Sequence, residues 1–152
     1  MMKKLSPFLL ILCLLFACKK DETEGATTSL NGKWSTGGYH FEWYNASGMV
    51  VSRGVADAIK TYWTFEKFQM TLSYDSRSDV ITSSYKVVNK GIEKHLFIDN
   101  ASIAVQTDWK IESQTDQQMK ISTKITDLDL ITLLPFRTAV SGVKTIYLVR
   151  EK

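Results

Sequence analysis

This sequence is short of the residues that usually staple or arm a small domain. Its two cysteines, Cys13 and Cys18, both fall in the first eighteen of 152 residues. Everything beyond them must fold without a disulfide or a thiolate metal site, so its stability has to come from a packed core. The only histidines, His40 and His95, lie more than fifty residues apart. Neither has a cysteine, histidine or acid cluster beside it at metal-ligand spacing. There is no Gly-x-Ser-x-Gly elbow, no His-Glu-x-x-His pair and no glycine-rich phosphate loop, which removes the common motif-bearing enzyme classes. Asp127 and Asp129 would share a strand face, yet without a partner base they read as turn or solvent residues. The expectation is a chain that is not an enzyme and carries no cofactor or metal. Long apolar runs are missing as well. The unbroken stretch Phe8 to Phe16 is about half the roughly twenty residues needed to cross a bilayer.

What that stretch does have is a distinctive frame. Lys3 and Lys4 precede it, and Leu15-Phe16-Ala17-Cys18 closes it with a small residue before a cysteine. This is the order of a cleaved signal peptide, here residues 1–17. The Leu-x-Ala-Cys ending resembles the lipobox of bacterial lipoproteins, which implies that Cys18 is lipidated and becomes the first mature residue. Processing would leave 135 residues, one domain with its own core. It would remove two of the 19 Lys+Arg and none of the 16 Asp+Glu, leaving 17 against 16, or +1. A near-neutral domain offers no electrostatic argument for nucleic acid. Residues 18–29 hold no large apolar side chain and read as a tether reaching roughly 20 Å. Lys19-Lys20-Asp21-Glu22 resembles the export signal of surface-exposed lipoproteins in Bacteroidota; the competing reading is a solvated linker. The expected location is the outer membrane, on its periplasmic face or at the cell surface.

From Leu30 onward the apolar periodicity is two. Tyr39, Phe41 and Trp43 alternate with polar or small neighbours, and Asn45-Ala46-Ser47-Gly48 supplies a turn. Tyr62 to Phe65 alternates on one phase and Phe68, Met70, Leu72 and Tyr74 on the other, which places a bulge or tight reversal near Glu66-Lys67. Asp75 to Asp79 is a polar turn, Val80 to Val88 a strand, and Asn89-Lys90-Gly91 a hairpin signal. Ile92 to Ile98 is a strand, followed by a turn at Asp99-Asn100. Ile103, Val105, Trp109 and Ile111 share a face, as do Met119, Ile121, Thr123 and Ile125, and Val143 to Arg150 closes the chain. Val55 to Lys60 reads as a short helical turn. Residues 127–142, rich in leucine and ending an apolar run at Pro135-Phe136, read as an irregular strand and covering loop. Hairpins at this spacing predict an all-β fold, an antiparallel barrel or sandwich.

Leu30-Asn31-Gly32-Lys33-Trp34 resembles the opening strand of lipocalin-like domains, with its Gly-x-Trp core. Tyr62-Trp63-Thr64-Phe65, the pair Trp109-Lys110-Ile111 and Met119 to Ile125, and the ending Ile146 to Arg150 resemble later strands of lipocalin-like lipoproteins of Bacteroidota. The resemblance spans Leu30 to Arg150. It implies an up-and-down antiparallel β-barrel of about eight or more strands over residues 30–152, with Gly32 bending the chain at a closed end and Trp34 plugging it. It further implies that Arg150 packs on Trp34, a contact worth about 0.5–2 kcal/mol. Segment 127–136 has no clear place in eight strands.

A barrel of this kind is expected to hold a small hydrophobic molecule at its open mouth. Trp43, Tyr62, Trp63, Tyr85, Phe97 and Trp109 are the candidate lining, against the alternative that these aromatics simply fill the core. Arg137 could meet a ligand carboxylate or be an exposed loop cation. The rival function is a solid barrel that binds a protein partner, with a patch from Leu130 to Phe136, notably Leu133 and Phe136, as its contact surface.

Overall fold

The computed structural model describes residues 30–56, 59–99, 107–126 and 138–152. The signal segment, Cys18, the tether, Asp127, Asp129, Arg137 and the patch 130–136 lie outside them, as do Ile103 and Val105. Among the described residues nine strands form: β1 (Gly32–Tyr44), β2 (Val50–Ala56), β3 (Thr61–Glu66), β4 (Gln69–Tyr74), β5 (Arg77–Lys90), β6 (Glu93–Ile98), β7 (Asp108–Gln114), β8 (Gln118–Ile125) and β9 (Ser141–Arg150). The fold is all-β and antiparallel. β1 and β3 to β9 run up and down in sequence order, and pairing of β1 with β9 closes them into an eight-stranded barrel.

β2 is the ninth strand. β9 lines one side of β1, pairing from Trp34 to Tyr44. On the other side β3 takes the first residues, Gly32 to Ser35, and β2 takes Tyr39 to Tyr44. β2 and β3 therefore sit end to end along the same flank. The expected helical turn is corrected at Val55 and Ala56, which complete β2. Where the ladder passes from β2 to β3, side chains replace it: the Thr61 amide donates to Thr36 Oγ1 at 3.0 Å, and the Tyr39 hydroxyl lies 3.4 Å from Thr61 Oγ1.

The phase of β1 changes once, at a double glycine. Trp34 and Thr36 are buried on even positions, whereas Tyr39, Phe41 and Trp43 face inward on odd ones. One extra residue is needed between them, and the register supplies it at Gly37, since Thr36 opposes Leu148 while Gly38 opposes Tyr147. The second phase change is a tight reversal. Glu66 opposes Gln69 across a two-residue turn in which Lys67 has φ 52°. Phe68 belongs to that turn and is 60% exposed, so the inward face of β4 starts at Met70. The hairpin at Asn89-Lys90-Gly91 also forms, with Lys90 opposite Glu93 and Gly91 at φ +65°.

The hairpins at Lys67-Phe68, Gly91-Ile92 and Thr115–Gln117 gather at one end with the start of β1 and the end of β9. That end is sealed. Leu30, Trp34, Phe65, Met70, Leu96 and Ile121 are wholly buried, and the Trp34 indole N–H donates to the Leu30 carbonyl at 2.9 Å. Arg150 lies over the Trp34 ring, its guanidinium carbon 4.3 Å from the centroid. Its N–H groups also reach the carbonyls of Asn31 and Asp116, tying the chain entry to the β7–β8 turn. A Cβ on Gly32 would come within 2.7 Å of the guanidinium, and φ there is +121°, so glycine is what lets the arginine lie down.

Candidate functional site

The opposite end of the barrel receives the connections β1–β2, β2–β3, β4–β5, β6–β7 and β8–β9. Among the described residues the buried apolar side chains belong to two separate clusters. The main cluster runs from Leu30 and Trp34 through Trp63, Phe65, Tyr85 and Trp109 to Ile146 and Leu148, with Tyr39 packed against it. A second, smaller cluster comprises Trp43, Ile125 and Ala139, with Phe41 and Val51 against it. Trp43 fits there because Gly142 faces it: a Cβ at Gly142 would lie 2.5 Å from the indole. The Phe41 ring stacks parallel to Trp43 at 6.3 Å.

Between the two clusters the register places a layer made of Phe41 on β1, Lys144 on β9 and Thr123 on β8, each opposite the next. Lys144 shares the inward face with Ile146 and Leu148 and is half-buried. Its ammonium lies 4.9 Å from the centre of the Tyr39 ring and 5.8 Å from that of Trp109. It has no ion pair among the described residues. Burial holds its pKa below the usual lysine range, because desolvation disfavours the charged form. Deeper in the barrel, the Trp63 indole N–H and the Tyr85 hydroxyl are buried without a hydrogen-bond partner among the described residues. Burial alone raises the Tyr85 pKa.

The wall is interrupted beside this layer. β7 pairs with β6 from Asp108 onward, and β8 pairs with β9 as far as Ile125, but the β7–β8 ladder begins only at Lys110 opposite Ser122. A cavity of about 640 Å³ lies against that gap mainly on the outer face, where Asp108, Lys110, Ser122, Lys124 and Val143 alternate with the inward residues of their strands, and it reaches Thr123 at the gap itself. Its outer rim is a balanced ionic network. Asp108 accepts from Lys90 and pairs with His95 Nδ1, both at 2.7 Å. Lys110 donates to Glu93 at 2.7 Å, and Ser122 donates to Glu112 at 2.6 Å. Burial by itself would raise the Asp108 carboxyl, but the hydrogen bonds from Lys90 and His95 outweigh it and hold the group below its usual value. Asp108, Glu93, Lys90, Lys110 and Glu112 thus each meet a charge of opposite sign, which braces β5, β6 and β7 together. A second cavity, of about 380 Å³, lies outside the barrel at the β1 bulge, against His40 and Tyr147.

The six aromatics expected to line a pocket divide by direction. Trp63, Tyr85 and Trp109 face inward and are buried in the main core, and Trp43 anchors the upper cluster. Tyr62 and Phe97 are corrected to the outer face. Tyr62 lies under the ammonium groups of Lys33 and Lys60, and Phe97 under those of Lys86 and Lys90. Tyr62 cannot face inward beside Trp63, because successive strand residues point to opposite faces. Sequence reasoning missed Lys144. Its signal is legible in retrospect: Lys144, Ile146 and Leu148 are i, i+2 and i+4 on one strand, which puts a cation on the apolar face. No protein-family model, no curated protein and no solved structure matches this chain.

Proposed function

We propose that this chain is a non-catalytic, lipocalin-like lipoprotein, anchored to the outer membrane through Cys18, that binds a small hydrophobic molecule at the open end of its barrel. The observation that carries the reading is the split interior. A barrel built only for stability gains most from one continuous core, whereas among the described residues the buried apolar side chains form two separate clusters, the smaller one being Trp43, Ile125 and Ala139 with Phe41 and Val51 against it. The sealed end leaves no room for a ligand, so binding belongs to the layer between the clusters, beside the wall gap. Affinity would come from apolar burial against Trp43, Phe41 and Trp109.

The test is titration of the protein with the neutral, environment-sensitive dye N-phenyl-1-naphthylamine, alongside native mass spectra after exposure to a lipid extract of a bacterial envelope. Saturable dye enhancement and a discrete added mass that is lost on denaturation are expected. A bare mass with no dye response would overturn the reading.

One observation favours a second reading, a barrel that binds a protein partner. Among the described residues β2 has a strand on one side only. It also carries the exposed apolar side chains Val50 and Val55, with Met49 just before it. An uncovered edge of this kind can accept a strand from another chain. Loss of partner recovery on Val55→Lys, with the fold intact, would support it.

A further inference from the structure

The rim of the sealed end carries two large side chains that add little to the fold. In both the β3–β4 and β5–β6 hairpins a two-residue turn opens with a positive φ, at Lys67 and Gly91. The second position of each turn is apolar: Phe68 is 60% exposed and Ile92 fully exposed. Such turns favour glycine, asparagine and aspartate, and an apolar group left in water contributes little stability. Because β4 pairs with β5, the two tips are neighbours on the rim. An exposed lysine, Lys67, stands beside Phe68, and Glu66 and Glu93 flank the turns. The third hairpin of this end, Thr115–Gln117, is polar and exposed. One half of the rim is therefore apolar at its tips and the other is not.

Where the chain enters says what lies against that half. β1 starts at the same end, and residues 18–29 separate Cys18 from Leu30. Their reach, roughly 20 Å, is shorter than the barrel. The 13 residues of β1 rise about 30 Å along its axis at the usual strand tilt. An anchor at Cys18 thus holds the sealed rim, not the open one, against the bilayer. Tethering makes the contact intramolecular, so two side chains suffice where a free domain would need many.

We propose that Phe68 and Ile92 dip into the interface of the anchoring membrane, with Lys67 at head-group level, so that the barrel stands on its sealed end. A bilayer surface accepts apolar groups beneath the head groups and cations at the phosphates. This placement rests on lipid attachment at Cys18 and is independent of what the barrel binds. It points the open end, with Trp43 and the wall gap, away from the lipid, so that a ligand is exchanged through water.

The experiment uses the processed full chain, purified from a bacterium with its lipid attached. Cys13 leaves with the signal segment and Cys18 carries the lipid, so a cysteine introduced by Phe68→Cys, Ile92→Cys or Ser47→Cys is the free thiol. Ser47 is exposed in the β1–β2 turn, at the open end. Each variant is labelled with nitrobenzoxadiazole and reconstituted in phosphatidylethanolamine–phosphatidylglycerol vesicles, with and without a doxyl-labelled phospholipid. At positions 68 and 92 emission is expected to shift to the blue and to fall by about half with the doxyl lipid, while position 47 is unaffected. Adding Phe68→Ser to the labelled Ile92→Cys chain should weaken the quenching at 92. Vesicle-bound protein with all three positions alike, or with 47 the most quenched, would overturn the placement and leave the anchor standing. A blue shift that the doxyl lipid does not quench, and that grows with protein density, would mean contact with a second copy and refute the placement too. A chain whose mass lacks lipid at Cys18 and that does not float with the vesicles would overturn the anchor reading, and the placement with it.

Discussion

Arg150 and Trp34 give the sharpest quantitative test of how the sealed end is held. The ring is wholly buried and its N–H bonds the Leu30 carbonyl, so Trp34→Leu removes packing and a hydrogen bond together. A cost of about 3 kcal/mol follows, from the usual range for shrinking a large core side chain. Arg150→Met keeps the aliphatic stem over the ring but loses the cation and its bonds to the Asn31 and Asp116 carbonyls. These are partly exposed, so a loss of about 1–2 kcal/mol is expected. The informative quantity is the coupling between the two. A guanidinium 4.3 Å from the ring centre at a half-exposed site should couple by about 0.5–1 kcal/mol. Urea unfolding of wild type, both single variants and the double variant, followed by far-ultraviolet circular dichroism, measures it. Circular dichroism is preferred because the substitution alters tryptophan fluorescence. A coupling below about 0.3 kcal/mol, the ordinary scatter for independent sites, would refute the cation–ring account. Arg150 would then act only as a staple between backbone carbonyls.

Four further outcomes are expected. Lys144→Met should stabilise the free protein by up to about 1 kcal/mol, since it removes the desolvation cost of a half-buried ammonium, and denaturant midpoints will show it. The folded-state pKa of Lys144 lies below its unfolded value, so wild-type stability should rise as pH climbs from the folded pKa towards the unfolded one, and the variant should lack that rise. Gly142→Ala should cost about 1–3 kcal/mol through overpacking, because its Cβ would sit 2.5 Å from the Trp43 ring; adding Trp43→Leu should recover part of that loss in the same unfolding assay. Asp108 and Glu93 are held below their usual pKa values, Asp108 by Lys90 and His95 against its burial and Glu93 chiefly by Lys110. Their contribution is therefore present above about pH 4 and lost as pH falls through the folded values, and Asp108→Asn should make the acid limb of a stability–pH profile shallower.

Much of this architecture could be read along the chain. Alternation located the strands, turn chemistry located the hairpins at Gly91 and near Glu66-Lys67, and the ends of the domain supplied both halves of the Trp34–Arg150 contact. The functional end was harder. Tyr62 and Trp63, or Phe97 and Leu96, are equally apolar to a composition count, and each pair has one member outside. An exposed aromatic ring covered by lysine stems, as at Phe97, satisfies the same local pattern as a buried one.

The sequence by itself determined the strand period and the turns, because these follow from neighbours on one chain, while the Trp34–Arg150 plug was implied by the resemblance of its first and last strands to lipocalin-like domains. The tertiary structure decided which face is inside, and it did so through closure. Only when β9 pairs with β1 does the extra residue at Gly37 bring Trp34 and Tyr39 onto one surface. Only the late start of the β7–β8 ladder opens the wall beside Thr123. And only the register across β8, β9 and β1 sets Lys144 between two apolar clusters. Alternation fixes which residues share a face; which face loses water depends on partners more than a hundred residues away.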